Sequence, residues 1–263
     1  MIWTDIQRIR EQAPLVLNIT NYVVMNTTAN ALLAIGASPV MAHAIEEVED
    51  MTGLARALVI NIGTLSAPWI DAMLRAGRAA QQRKIPIVLD PVGCGATAFR
   101  TATARRLMEE TTPTVIRGNA SEIRSLLRSG PGAKGVDSQH TPDEVLDDAR
   151  ALSRSAGCVV SISGAEDLIV QGNQVARIAN GAAIMTKVTG MGCTSSALTG
   201  AFVAVNPSPF EAAANAMAVM GIAGEIAAAK AAGPGSFQMI FLDTLHDLRE
   251  SDITQRLRVQ GLR

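Results

Sequence analysis

The sequence predicts an α/β protein with a mostly parallel central sheet and helices on both faces. Short apolar runs rich in Val, Ile and Leu alternate with longer segments that carry helix signals. This alternation is typical of βαβ units, whose crossovers cover both faces of a parallel sheet. Hydrophobic residues make up 48% of the 263 residues and charged residues 18%, which is enough for a large buried core. The rhythm resumes after an irregular stretch at 129–140, so we expect one domain over residues 1–263 and a mobile surface loop at 129–140.

The predicted strands are short, apolar and β-branched, as is typical of strands buried on both faces. Two runs, 168–171 and 174–178, flank Gly172 and Asn173 and predict a hairpin with a tight turn. The remaining predicted strands cover residues 15–20, 39–41, 57–61, 85–89, 114–116 and 158–163.

Helix signals fill the intervals between these strands. Gly36 predicts the C-terminal cap of a helix over residues 25–35. Ser66 predicts the start of a helix that runs to about residue 84, and Thr141 predicts another helix start. The other predicted helices cover residues 46–56, 101–111, 195–204, 210–232 and 241–250.

Charge and composition argue against nucleic acid as a partner. The chain has 23 basic and 24 acidic residues, a net charge of −1 and no long basic run. Only 3% of its residues are aromatic, which leaves little surface on which bases could stack.

Cysteine usage and hydropathy predict a cytoplasmic protein. The three cysteines are widely spaced and form no CxxC pair, which favours a reducing compartment. The N-terminus has charges where a signal peptide needs an apolar run. The most apolar helix, at 212–232, is interrupted by Asn215, Glu225 and Lys230, so we interpret it as a core helix and not as a membrane span.

Polar clusters follow several predicted strands. Ligands of open parallel sheets bind at the carboxyl ends of the strands, so we expect these clusters to meet in one site. The clusters cover residues 18–21, 90–95, 117–122 and 161–164, and the loop at 190–193 joins them.

That loop carries the strongest local signal. Gly190 and Gly192 permit positive φ and close approach to a ligand, and the helix that follows presents free N–H groups to an anion. Cys193 falls in the first helical turn, where the same field is expected to lower a thiol pKa. The alternative is a tight turn with a small buried cysteine.

Five further residues suit phosphate chemistry, and four of them have a structural alternative. Asp90 ends a buried strand and suits Mg²⁺ or its water shell, or else caps the next turn. Arg117 follows a strand and could clamp a phosphate, or form an ion pair. Asn119 and Glu122 fit a capping box, and the same pair could orient metal-bound water. Ser163 could also contact phosphate.

Other motifs give weaker or negative indications. A GxGxxA match at 93–98 is common, and the acids about 20 residues later fall on a predicted helix, so we discount a dinucleotide fold. GxxxxGK[ST] and GxSxG do not occur. His43, His140 and His246 lie far apart without ligand spacing, and we treat them as structural or solvent-facing.

Six motifs taken together resemble those of the hydroxyethylthiazole kinases. They are TNYVV (20–24), GASPVM (36–41), DPVG (90–93), IRGNASE (116–122), VTGMGC (188–193) and GPGSF (233–237). The resemblance implies a ribokinase-like three-layer α/β/α fold. It also implies phosphorylation of 5-(2-hydroxyethyl)-4-methylthiazole by ATP and Mg²⁺ in thiamine salvage, by a homotrimer that binds the thiazole between neighbouring subunits.

The same resemblance assigns roles to individual residues. Cys193 matches the proposed catalytic base, at a position where the wider superfamily usually carries Asp. The other matches are Met41 and Gly190 with nearby Asn21 for the thiazole, Arg117, Ser163, Thr189 and Gly192 for ATP, and Asp90 and Glu122 for the metal and phosphates.

Other functions remain open at this point. The same fold would suit a hydroxymethylpyrimidine kinase, a sugar kinase or the ATP-dependent NAD(P)H-hydrate dehydratase. From a different class, the chain could be a nucleotide-binding sensor or subunit without catalysis.

Overall fold

The computed structural model describes residues 1–127 and 142–262. Its described strands form one nine-stranded sheet. In chain order they are β1 (Leu15–Ile19), β2 (Ser38–Val40), β3 (Ala57–Asn61), β4 (Ile87–Asp90), β5 (Val115–Asn119), β6 (Val159–Ser163), β7 (Asp167–Gln171), β8 (Gln174–Ile178) and β9 (Val259–Gln260). The strand order is β2-β1-β3-β4-β5-β6-β7-β8-β9.

The first six strands pair in parallel and the last three pair antiparallel. This confirms the predicted mostly parallel sheet and the hairpin of β7 and β8. The sequence patterns did not indicate β9, which is two residues long.

Helices cover both faces of the sheet. They are α1 (Ile2–Gln12), α2 (Met25–Ile35), α3 (Val48–Leu54), α4 (Ala67–Gln82), α5 (Ala98–Thr111), α6 (Ala120–Leu127), α7 (Pro142–Ala156), α8 (Met191–Val203), α9 (Pro209–Lys230), α10 (Pro234–Asp247) and α11 (Glu250–Arg256). A short 3-10 helix covers Ala183–Lys187. The sequence analysis did not anticipate this 3-10 helix, α1 or α11.

Alternating strand residues divide the interior into two cores. Val59, Val88 and Val115 pack in the core that contains α8 and α9. Their chain neighbours Leu58, Leu89 and Ile116 pack in the core that contains α4 and α5. Side chains two residues apart in a strand point to the same face. Asn61, Asp90 and Arg117 therefore lie on the α8 side of the sheet, where Ser196 Oγ of α8 donates to Asp90 Oδ2 and Gly192 of α8 lies beside Arg117.

Some helix boundaries lie where the sequence predicted them, and others differ. The helix α2 ends at Gly36, whose φ is 106°, as predicted. The helix α10 begins at Pro234 and not near residue 241, because Ser236 Oγ accepts the Ala232 and Gly233 N–H groups and caps the glycine-rich stretch. Ser66 precedes α4 but makes no side-chain cap hydrogen bond. The predicted loop at 129–140 and Thr141 lie outside the described residues.

The apolar helix α9 is part of the core. By length and composition alone it could cross a membrane, yet 78% of its apolar window is buried inside the protein. Such burial is typical of a core helix, as the polar interruptions in its sequence predicted.

Candidate active site

A cavity of about 790 Å³ lies where β4, β5 and β6 end against the start of α8. Seven of the ten residues to which the family resemblance gives a role line it: Asp90, Arg117, Glu122, Ser163, Gly190, Gly192 and Cys193. They come from four parts of the chain that are distant in sequence. A second cavity of about 360 Å³, beside Gln174 and the start of α9, contains none of them.

The other three of these ten residues do not line the cavity. Asn21 is buried beside it, and its Nδ2 donates to Cys193 Sγ at 3.4 Å. Thr189 is exposed between Val188 and Gly190, which are both lining residues. Met41 is half-buried directly after β2, the edge strand next to β1.

The turn before α8 requires its two glycines. Gly190 has φ +82°, and a Cβ there would lie 2.5 Å from Val24 Cγ1. A Cβ at Gly192 would lie 2.7 Å from Arg117 Nη1. The main chain therefore passes close to a guanidinium group at the point where α8 begins. Free N–H groups of the first helical turn and the positive end of the helix dipole face the same region, which favours an anion.

Among the described residues that line the cavity, Arg117 is the one with a cationic side chain. Its side chain is only 6% exposed, and its Nε is buried without a hydrogen-bond partner among the described residues. Burial raises the pKa values of Asp90 and Asp167, and the charge of Arg117 partly offsets this rise. A buried guanidinium with an unused donor is a ready partner for phosphate oxygens.

Asp90 has one oxygen engaged and one open. Its Oδ2 accepts hydrogen bonds from Asn61 Nδ2 at 2.8 Å and from Ser196 Oγ at 2.7 Å. Its Oδ1 is buried without a hydrogen-bond partner among the described residues. Burial raises the pKa of this carboxyl to about 6, although the charge of Arg117 lowers it. At neutral pH the group is mainly ionised and can accept a cation at Oδ1.

Glu122 forms the predicted capping box with Asn119. Its Oε2 accepts the Asn119 N–H at 2.8 Å, and Asn119 Oδ1 accepts the Glu122 N–H at 2.9 Å. In addition, Glu122 Oε1 accepts the Gly93 N–H at 2.8 Å. These bonds fix the carboxylate at the cavity wall. Within residues 1–127 and 142–262 no three His, Cys, Asp or Glu side chains form a metal cluster. Two carboxylates still fit Mg²⁺, which takes its other ligands from water and phosphates.

Cys193 is a thiol in the free protein. Burial, followed by the charge of Asp90, raises its pKa to about 11. Hydrogen bonds from Asn61 and Asn21 and the charge of Arg117 act in the opposite direction and do not compensate. The prediction that the helix start lowers this pKa is therefore wrong, because burial and a neighbouring carboxylate outweigh the dipole.

Several site residues escaped the sequence analysis. Asn61 and Ser196 both donate hydrogen bonds to Asp90. In the sequence Asn61 could have been recognised as a polar residue at a strand end, and Ser196 as a hydroxyl three residues after Cys193. Asp167 lines the cavity and accepts the Gly164 N–H at 3.0 Å, and burial raises its pKa to about 6. No local pattern marks it, because the turn after β6 brings it to the cavity.

Comparisons with known proteins agree along nearly the whole chain. A model of the hydroxyethylthiazole kinase family matches residues 6–251. Hydroxyethylthiazole kinase from Leptospira biflexa is 56% identical over 256 residues, 97% of this chain and 96% of that protein. The enzyme of the same name from Syntrophus aciditrophicus is 57% identical over 258 residues, 98% and 96% of the two chains. The solved structure of hydroxyethylthiazole kinase from Pyrococcus horikoshii superposes with a TM-score of 0.92 at 44% identity and covers 100% of this chain and 99% of its own.

The three-layer fold, with a helix start facing a buried arginine and carboxylates, defines a small-molecule kinase of the ribokinase-like class. Within that class the chain belongs to the hydroxyethylthiazole kinase family.

Proposed function

We propose that the protein transfers the terminal phosphoryl group of ATP to the hydroxyl of 5-(2-hydroxyethyl)-4-methylthiazole. The products are 4-methyl-5-(2-phosphooxyethyl)thiazole and ADP, in thiamine salvage in the cytoplasm. One observation supports this most strongly. Arg117 Nε and Asp90 Oδ1 belong to the same cavity, at the start of α8, and neither atom has a hydrogen-bond partner among the described residues.

The nucleotide side of the cavity is assigned to Arg117, Ser163, Thr189 and Gly192. Phosphoryl transfer through a loose transition state depends mainly on alignment and charge neutralisation. Arg117 would bind phosphate oxygens with its planar fork, and the N–H groups at the start of α8 would bind the group in transfer. The cavity wall also includes Met185, Met217, Met220 and Gly221. The flexible apolar side chains of the three methionines suit a nucleobase.

Asp90 and Glu122 would hold Mg²⁺. The unpaired Asp90 Oδ1 and the fixed Glu122 carboxylate provide the hard oxygen ligands that this ion prefers. When bound, the ion neutralises charge on the phosphate oxygens.

The alcohol side is assigned to Gly190, Asn21, Met41 and Cys193. The Asn21 side chain donates a hydrogen bond to Cys193 Sγ, which favours the thiolate form of this sulfur. Cys193 would accept the alcohol proton late in the reaction, when bond formation to phosphorus has made that oxygen acidic. Because the pKa of Cys193 is about 11 in the free protein, the accepting thiolate is a minor form at neutral pH.

Replacement of Cys193 tests this proton acceptor. Cys193→Ala is expected to lower kcat by about 10²–10⁴-fold, the usual contribution of a general base. Cys193→Asp is expected to remain active, because a carboxylate accepts protons at neutral pH. In the original protein kcat should rise with pH above 7 as the thiolate fraction grows, whereas in Cys193→Asp it should stay flat. Steady-state rates of ADP release between pH 6.5 and 9.5 measure both.

Cys158→Ala is the matched control, since Cys158 is buried at the opposite end of β6 and should leave kcat unchanged. An unaltered kcat in folded Cys193→Ala would remove the thiol from the mechanism and leave the role of the loop intact.

We infer that the active form is a homotrimer with the alcohol site at subunit interfaces. Tyr22 and Val23, directly after Asn21, are 64% and 66% exposed, which places apolar surface beside the proposed alcohol side. Light scattering is expected to give three times the mass of one chain. Replacement of Val23 by Asp should reduce that mass, and a monomeric active enzyme would contradict the inference.

Assay of the purified protein with a panel of alcohols tests the proposed function. We expect hydroxyethylthiazole to become phosphorylated, with ADP formed in equal amount, and hydroxymethylpyrimidine, pyridoxal and ribose to react far more slowly. Phosphorylation of another alcohol in preference would contradict the substrate assignment. ATP binding without ADP formation for any alcohol would contradict catalysis.

A further inference from the structure

A chain of buried side-chain hydrogen bonds connects the two halves of the site. Asn21 Nδ2 donates to Asn61 Oδ1 at 2.9 Å and to Cys193 Sγ at 3.4 Å. Asn61 Nδ2 donates to Asp90 Oδ2 at 2.8 Å. Asn61 is only 1% exposed and does not line the cavity, so it acts on ligands only through its neighbours.

Two backbone N–H groups fix the direction of this chain. Gly63 N donates to Asn61 Oδ1 at 2.9 Å, and Val23 N donates to Asn21 Oδ1 at 3.1 Å. A backbone N–H can only donate, so each amide must turn its oxygen toward the backbone and its NH₂ group away. A flipped amide would set two donors against each other. The NH₂ groups therefore point at the carboxylate and the sulfur.

The direction of these hydrogen bonds determines which oxygen of Asp90 is engaged and which is free to bind a ligand. Its Oδ2 accepts from both Asn61 Nδ2 and Ser196 Oγ, so the carboxylate cannot rotate without breaking two hydrogen bonds. Its Oδ1 remains open. The same Asn61 amide holds Asn21 against Cys193 through its oxygen. One residue thus orients a group assigned to the metal and a group assigned to the alcohol.

We propose that Asn61 is a positioning residue that couples the alcohol side of the site to Asp90. The proposal rests on the proposed function for its catalytic consequence. The position requires two acceptor contacts at one end of the side chain and a donor at the other, within a fully buried strand end. Asn meets both requirements with the right length. Asp keeps the shape and the acceptor end but places an oxygen against Asp90 Oδ2.

The experiment compares Asn61→Asp and Asn61→Ser with the unmodified protein. We expect kcat to fall about 10–100-fold, as is usual for partners behind ligating groups. The KM for the alcohol should rise in Asn61→Ser. The Kd for a non-hydrolysable ATP analogue, titrated without alcohol, should change less than about threefold, because Ser196 still holds Asp90. Asn61→Asp also brings a second buried carboxyl group against Asp90, so Asn61→Ser is the variant that separates positioning from packing, through the contrast between the alcohol KM and the Kd for the ATP analogue.

A second readout needs no substrate. Alkylation of Cys193 by iodoacetamide, followed by mass spectrometry of its peptide, is expected to slow about threefold or more in Asn61→Ser. The hydrogen bond of Asn61 to the sulfur is lost, and the Asn21 donor is no longer held. The buried Cys94 peptide is the internal control. If alkylation slows but hydroxyethylthiazole is not phosphorylated, the hydrogen-bond chain stands and the proposed function fails.

Either of two results would overturn the positioning role. One is unchanged kcat and unchanged Cys193 alkylation in folded Asn61→Asp and Asn61→Ser. The other is a loss of ATP-analogue binding as large as the loss of kcat, which would place Asn61 among the nucleotide-binding groups. Should neither variant fold, Asn21→Ala breaks the same chain at Asn61 Oδ1 and must slow alkylation of Cys193.

Discussion

Asp90→Asn is expected to lower kcat by about 10²–10³-fold and, at the same time, to raise the Tm of the ligand-free protein. The loss of activity follows because Asn provides no negative charge for the cation side of the site. The amide oxygen can still accept from Asn61 and Ser196, so the local structure is retained. Activity and stability should therefore change in opposite directions.

The gain in stability follows from the raised pKa of Asp90. Burial raises this pKa from 3.8 to about 6, so the folded state binds more protons than the unfolded state between these values. Stability contributed by the group then falls as pH rises from about 4 to 6 and stays lower above that range. A pKa raised this far corresponds to up to about 3 kcal/mol at neutral pH. Asn does not ionise and avoids this penalty.

Thermal unfolding of both proteins at pH 4 and pH 8 measures the effect. The difference in Tm should be small at pH 4 and largest at pH 8. Asp71→Asn, at an exposed site on α4, is the matched control and should change neither kcat nor Tm. A folded Asp90→Asn variant with full activity, or with a lower Tm at pH 8, would show that the charge of Asp90 has been misassigned.

Arg117→Ala is expected to raise the KM for ATP by about 10²-fold and to change the KM for the alcohol far less. Each charge-assisted hydrogen bond to phosphate is worth about 1.5–3 kcal/mol, and Arg117 can make two. In the free protein the Nε of this buried guanidinium has no hydrogen-bond partner among the described residues, although its charge still offsets those of Asp90 and Asp167. Initial-rate kinetics with each substrate varied in turn measure the two KM values.

Two further variants sharpen this test. Gly192→Ala retains the arginine but puts a methyl group 2.7 Å from Arg117 Nη1. The guanidinium must then shift, and ATP binding should weaken. Arg154→Ala, at an exposed arginine that bonds Asn173, is the control and should be silent. Equal increases in both KM values for Arg117→Ala would place this residue outside the nucleotide side.

The repeating pattern of the chain was readable because strand and helix signals agreed with each other. Apolar β-branched runs such as 57–61 are buried on both faces, and a glycine such as Gly36 ends its helix through its own conformation. The α8 boundary was harder, because the predicted helix started at residue 195. In the structure the helix begins at Met191. Gly190, the residue directly before it, has a positive φ and forms the turn into the helix.

Electrostatic properties of the site were less accessible from sequence. The pKa of Cys193 depends on burial and on Asp90, which is 103 residues earlier in the chain and reaches the thiol only through the sheet. The contacts of Asn61 likewise depend on the register of β3 and β4, in which Asn61 is paired with Asp90. Local sequence patterns predict helix caps and strand ends. They do not predict which residues of adjacent parallel strands lie side by side.

A crystal structure of the protein with a non-hydrolysable ATP analogue and hydroxyethylthiazole tests the central claim most directly. We predict the terminal phosphate within hydrogen-bond distance of the free N–H groups of residues 192 and 193 and of the Arg117 guanidinium, with the alcohol oxygen beside Cys193. A terminal phosphate bound away from residues 190–193 would contradict the account.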